Sequence, residues 1–169
     1  GTLRPCCLAI DEITDELGNK VHLNDNNLTE TFNGSYLQKM RQQFIDNERP
    51  ETCSRCWDEE DAGRRSKRIN TLTKFKHEVE DLDLSQTTTD QLWFLDLKLG
   101  NICNLKCRIC GSWSSSKWAA EEIQYDVAKG IDKKDTFAYK MLKAGNWPRE
   151  SEKFWEDLKE MLPTVRYFE

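Results

Sequence analysis

The chain has 169 residues, 37% of them hydrophobic and 33% charged, with a net charge of −5. That length suits one ordinary domain, or a small domain plus part of another. An acidic balance argues against general binding to a nucleic-acid backbone, and no apolar run is long enough to span a bilayer. The start, Gly1 to Cys7, lacks the basic-then-apolar order of a secretory leader.

Leu3 to Ile10 can form a strand, and an Asn-rich loop around Asp25-Asn26-Asn27 follows. Asn33-Gly34-Ser35 offers capping for a helix whose Leu37, Met40 and Phe44 recur at helical spacing. Pro50 ends that helix and leads into Cys53-Ser54-Arg55-Cys56-Trp57. The basic stretch Arg64-Arg65-Ser66-Lys67-Arg68 sits directly behind the acidic Asp58-Glu59-Glu60-Asp61. It reads as a solvated, self-compensating helix face. A second helical pattern carries Ile69, Leu72, Phe75 and Val79, and Ser85 to Asp90 is a polar linker and the candidate domain boundary.

Leu92 to Leu99 reads as a buried strand running into Gly100-Asn101. Ser114 to Lys129 looks helical, with Ala119, Ile123 and Val127 on one face and Gly130 as the stop. A short helix follows near Thr136 to Lys143. Ser151 then caps an amphipathic helix that turns Phe154, Leu158, Met161 and Leu162 inward. Pro163 stops it, and Val165 to Phe168 begins a strand. The second half therefore carries a βαβ pattern, expected of an α/β fold. A lone unit of that kind leaves sheet edges unpaired, so the sequence reads as a piece of a longer protein.

Cysteine is the informative residue. There are seven: 6 and 7, then 53 and 56, then 103, 107 and 110. Disulfide scaffolds favour even counts in short secreted chains. Clusters at short spacing suggest thiolate metal ligands in a reducing compartment, so a cytoplasmic protein with unpaired thiols is expected. Cys103, Cys107 and Cys110 form C-x3-C-x2-C in a loop after a strand. Three thiolates in one loop can wrap one corner of a four-iron cluster and leave the last iron open to a substrate. A zinc site completed by a cysteine from elsewhere is the competing reading.

This loop resembles the signature of the radical S-adenosylmethionine superfamily. The resemblance implies a [4Fe–4S] cluster on Cys103, Cys107 and Cys110, with S-adenosylmethionine chelating the open iron and Ile109 lying near its adenine. It further implies reductive cleavage to a 5′-deoxyadenosyl radical that abstracts a substrate hydrogen. An electron donor such as flavodoxin or ferredoxin would feed the cluster, and a peptide or protein would be the substrate. The fold implied is α/β, residues 91–169 forming the start of a partial (β/α) barrel of radical S-adenosylmethionine type. The Gly-Gly-Glu motif usual on the second barrel strand does not occur before the chain ends at Glu169.

Upstream, Gly1 to Cys6 is G-x4-C and Cys53 to Cys56 is C-x2-C. Together they resemble the twitch and SPASM accessory cluster domains attached to that superfamily. The resemblance implies that residues 1–85 are a small α+β cysteine-rich domain holding one accessory iron–sulfur cluster on Cys6, Cys53 and Cys56, with Cys7 as an alternative to Cys6. No cysteine lies between Cys56 and Cys103, which limits the domain to the twitch case, and such domains usually follow the barrel rather than precede it. Structural zinc is the alternative there too. For the whole chain, the alternative function is a non-catalytic zinc-binding interaction module. His22 and His77 are isolated in sequence and read as surface or satisfied histidines.

Overall fold

The computed structural model describes residues 1–80, 82–145 and 147–169. In chain order the elements are α1 (Leu28–Phe32), α2 (Ser35–Ile45), α3 (Ser54–Asp61), α4 (Lys67–Lys74), α5 (Lys76–Glu80), β1 (Phe94–Leu95), α6 (Ser116–Ala128), α7 (Phe137–Ala144), α8 (Glu152–Met161) and β2 (Tyr167–Phe168). No helix among the described residues is long and apolar enough to cross a membrane.

Side-chain caps place several of these helices. The Asn27 side chain accepts from the Glu30 amide ahead of α1, Ser66 from Ile69 ahead of α4, and Thr136 from Tyr139 ahead of α7. Each satisfies an amide that has no partner inside its helix. Helix α2 ends before Pro50 because Asn47 takes a left-handed backbone, with φ 58°, a conformation that asparagine tolerates better than most residues.

The fold is helix-dominated, which corrects the expectation of an α/β fold beginning a partial (β/α) barrel behind a small α+β domain. Among the described residues there is one sheet, of two strands: β1 and β2 run parallel, with Phe94 opposite Tyr167 and Leu95 opposite Phe168. Of Leu92 to Leu99, only Phe94 and Leu95 are strand. A strand extends only as far as a neighbour offers a ladder, and here the neighbour is two residues long. Leu92 instead donates its amide to the Thr164 hydroxyl, 2.9 Å away. The strand expected over Leu3 to Ile10 does not form: those residues are turn and irregular, and the isolated bridges nearby, Thr2 with His22 and Thr14 with Lys20, lie outside them. The Cys6 carbonyl accepts from the Ala9 amide at 3.1 Å, so residues 6–9 close into a turn.

The described chain divides into two compact units. One comprises Thr2–Asp96 and Asp157–Glu169. Its core sets Ile13, Val21 and Leu37 against Leu3, Phe32, Tyr36 and Met40. In this unit the polar stretch before β1 is tied to α1 and α2. Asn33 exchanges hydrogen bonds with the Thr89 backbone, and Arg41 donates to the carbonyls of Thr87 and Phe32.

The other unit comprises Gly1 and Leu97–Glu156. Ala119 and Ile123 of α6 pack on Ala138 of α7. Fully buried Phe154 meets Trp147 and Trp155 edge to face.

Candidate thiol site

The C-x3-C-x2-C loop is held by its backbone. The Ser115 hydroxyl donates to the carbonyls of Leu105 and Cys103, and Trp118 Nε1 donates to the Cys107 carbonyl at 3.1 Å. The Cys110 amide closes a turn on the Cys107 carbonyl at 3.0 Å. These bonds fix where the chain runs without converging the sulfurs. Cys103 and Cys110 are half-buried, Cys107 is exposed, and Ile109 is 90% exposed. The Cys103 sulfur accepts from the Leu105 amide at 3.4 Å.

The N-terminal cysteines stand differently. Cys53 ends a short 3-10 turn (Glu51–Cys53) and caps α3, and Cys56 lies in the first turn of that helix, so the C-x2-C pair opens a helix. The turn carrying Cys6 is brought to it by a hydrogen bond from the Ile10 amide to the Thr52 carbonyl, 3.2 Å long. Cys6 is exposed, Cys53 half-buried and Cys56 buried. Burial pushes the Cys53 thiol up to about 11, with the charges of Cys6 and then Cys56 adding to the rise and Arg68 opposing it. Thr52, next to Cys53, is 6% exposed, and its hydroxyl has no hydrogen-bond partner among the described residues. A buried orphan of that kind is uncommon.

Helix α4 supplies the cations. Lys67, its first residue, donates from Nζ to the Cys7 sulfur at 3.0 Å and to Glu169 Oε2 at 3.4 Å. The hydrogen bond to Cys7 raises the Lys67 ammonium above the ordinary lysine range; partial burial opposes this and Glu169 adds to it. Arg68 pairs with Glu60 and lies 4.4 Å over the Trp57 ring. That pairing, with help from Ser66 and against partial burial, holds the Glu60 carboxyl below its usual range. Arg49 pairs with Asp61 at 2.8 Å.

Among the described residues, no group of three or more histidine, cysteine or acidic side chains is placed to hold a metal ion. No protein-family model matches the chain, and no curated protein and no solved structure is found to be similar to it. The radical S-adenosylmethionine reading is therefore corrected. The sulfurs of Cys103, Cys107 and Cys110 do not gather as a tridentate set, so the [4Fe–4S] cluster, the S-adenosylmethionine bound through it and the radical activity lose their footing. The accessory cluster expected on Cys6, Cys53 and Cys56, the zinc alternatives at both sites and the zinc-binding interaction module fall with the same finding. The physical reason is that a shared cluster needs all its sulfurs aimed at one point within bonding distance, whereas spacing along a chain fixes only proximity along that chain.

Lys67, Arg68 and Thr52 were not legible as site residues. The basic stretch compensates the acidic run through Arg68–Glu60, while Asp61 is paired by Arg49 from outside that stretch. Lys67, however, turns to Cys7. The signal that could have marked it is its position directly after the Ser66 cap, where a side chain leaves the first turn of a helix.

Proposed function

We propose that Cys6 and Cys53, with Cys56 behind them, form a thiol–disulfide redox site that reduces small disulfides and returns to the dithiol when a reductant is in excess. The observation that carries this reading is the Ile10–Thr52 hydrogen bond, which seats the Cys6 turn on the start of the Cys53-x2-Cys56 helix. An exposed thiol beside a half-buried one is the arrangement in which one sulfur meets the substrate and the other resolves the intermediate.

The Cys6 thiolate attacks one sulfur of an external disulfide, forming a Cys6 mixed disulfide and expelling a thiolate, which takes a proton from water. The Cys53 thiol then gives its proton to water, and its thiolate attacks the Cys6 sulfur. A Cys6–Cys53 disulfide forms and the second external thiolate leaves. Two protein thiols are oxidised and one external disulfide is reduced to two thiols. Burial is the main reason Cys53 resists ionisation, and a charge on Cys6 adds to it; conversion of Cys6 to the uncharged mixed disulfide removes that added part at the step where Cys53 attacks. The first turn of α3, with Arg68, favours the Cys53 thiolate once it forms.

The test is equilibration of the full chain in glutathione buffers of graded redox poise, followed by acid quenching, alkylation and peptide mass analysis. One disulfide joining Cys6 to Cys53 is expected in the wild-type chain and is lost in Cys53→Ser. Full alkylation of both residues in the most oxidising buffer overturns the reading.

A further inference from the structure

We infer that Cys7, paired with Lys67, gives the small disulfide a faster entry than direct attack by Cys6, and that it hands the captured group to Cys6. This step rests on the redox reading of Cys6 and Cys53. Four thiols lie at this end of the unit, and they differ in one respect that matters for attack. Cys7 is exposed and has a lysine ammonium on its sulfur at 3.0 Å. Cys6 is exposed, but among the described residues its sulfur accepts the weak local hydrogen bond of the Leu8 amide, at 3.3 Å, and no cation's. Cys53 is half-buried and Cys56 is buried.

Lys67 Nζ, 3.0 Å from the Cys7 sulfur, is placed to donate to that sulfur as it attacks and again as it departs. Both matter in a relay, because the same sulfur must enter and then leave. The Cys7 thiolate attacks the disulfide, forms the Cys7 mixed disulfide and releases one thiolate. The Cys6 thiolate then attacks the outer sulfur of that mixed disulfide. The captured group moves to Cys6, and the Cys7 thiolate departs back onto the Lys67 ammonium. Attack at the inner sulfur would instead close a disulfide between adjacent residues, which constrains the intervening peptide bond. Transfer conserves the electron count, and oxidation is completed only when Cys53 closes on Cys6.

Lys67 is the positioning residue. Its ammonium also pairs with Glu169 at 3.4 Å and lies 5.6 Å from the centre of the Phe94 ring. These neighbours hold the ammonium at the Cys7 turn, where a free lysine side chain would spread over many rotamers.

The experiment follows the approach to equilibrium with glutathione disulfide in the full chain, quenched at successive times. Cys7→Ser and Lys67→Gln are each expected to slow formation of the Cys6–Cys53 disulfide about tenfold, the loss of one charge-assisted contact. Both should leave the final extent unchanged, and Lys67→Arg should keep most of the rate. Early wild-type samples should carry glutathione on Cys7, and Lys67→Gln samples less of it. Wild-type rates in both Cys7→Ser and Lys67→Gln, with the usual final disulfide, overturn the relay and leave the redox reading standing. If the wild-type chain forms no Cys6–Cys53 disulfide, the redox reading fails. In that case glutathione on Cys7 that depends on Lys67 still supports the capture step, and its absence overturns that too.

Discussion

The carboxylate of Asp157, in α8, caps the start of α1 from 130 residues away, its Oδ1 accepting from the Asn27 side-chain amide at 2.7 Å. Its Oδ2 accepts from the Leu28 backbone amide at 3.0 Å. Asp157 is 6% exposed. Asn27 itself caps the Glu30 amide, so one buried acid and one asparagine satisfy the first turn together.

Asp157→Ala should therefore cost about 1–3 kcal/mol, because it leaves the buried Leu28 amide and one donor of the half-buried Asn27 without their partner. A urea titration followed by circular dichroism measures it. An unchanged midpoint would show that water replaces the carboxylate at no cost.

Glu12 gives a pH signature. The Lys20 hydrogen bond holds its carboxyl below the ordinary range, with the Thr2 hydroxyl and Arg4 assisting against burial. A carboxyl depressed in the folded chain adds stability above its unfolded pKa, about 4.3, and that contribution is lost as pH falls through the lower folded value. Glu12→Gln should be less stable than wild type near neutral pH. The gap should close as the medium is acidified below about pH 4. Parallel thermal melts across that window check it, and a gap that is constant with pH would assign the effect to packing.

Cys53 predicts a reactivity difference within one molecule. Its thiol rises from 9.0 to about 11 on folding. Near neutrality its thiolate fraction, and with it iodoacetamide labelling, should be about a hundredfold lower in the folded chain than in urea. Because the folded value is raised, the stability tied to this thiol is complete below its unfolded pKa and declines as pH climbs towards about 11. Cys53→Ala should accordingly lose less stability over that alkaline range than wild type. Equal labelling in the two states would remove the burial argument.

Glu122 anchors the loop that carries the second cysteine group. Fully buried Ser112 donates to its carboxylate from both backbone and hydroxyl, at 2.8 and 2.6 Å, while the Asn101 side chain donates to the Ser112 carbonyl at 2.6 Å. Glu122→Ala should cost about 2–3 kcal/mol, since hydrogen bonds to a charged group are the stronger kind. Faster amide exchange across residues 101–116 should accompany the loss. Protection unchanged from wild type would show that the loop is held by Asn101 and Ser115 alone.

Much of the local structure is written in short stretches of sequence. Thr136 marks the start of its helix in the sequence, because a cap needs only a hydroxyl three residues from an amide. The buried faces of α6 and α8 follow from Ala119 and Ile123, and from Phe154, Leu158 and Met161, at helical spacing. Spacing sets Cys6 and Cys7, and Cys53 and Cys56, apart as two short clusters, and only the resemblance to accessory cluster domains joins Cys6 to Cys53 and Cys56. What only the tertiary structure decides is what each group meets. Leu92 to Leu99 has strand composition, yet its strand length is set by a two-residue partner at Tyr167 and Phe168. Lys67 lies in a basic run that looks solvated, yet its ammonium reaches Cys7. Asp157 looks like a surface acid of an amphipathic helix, yet it is buried against Asn27. The cysteine loop has the spacing of a cluster motif, yet its sulfurs do not converge with other ligands on one point. Spacing along a chain limits how far apart atoms can be. The direction in which side chains point is fixed by non-local hydrogen bonds and packing, which sequence periodicity does not encode.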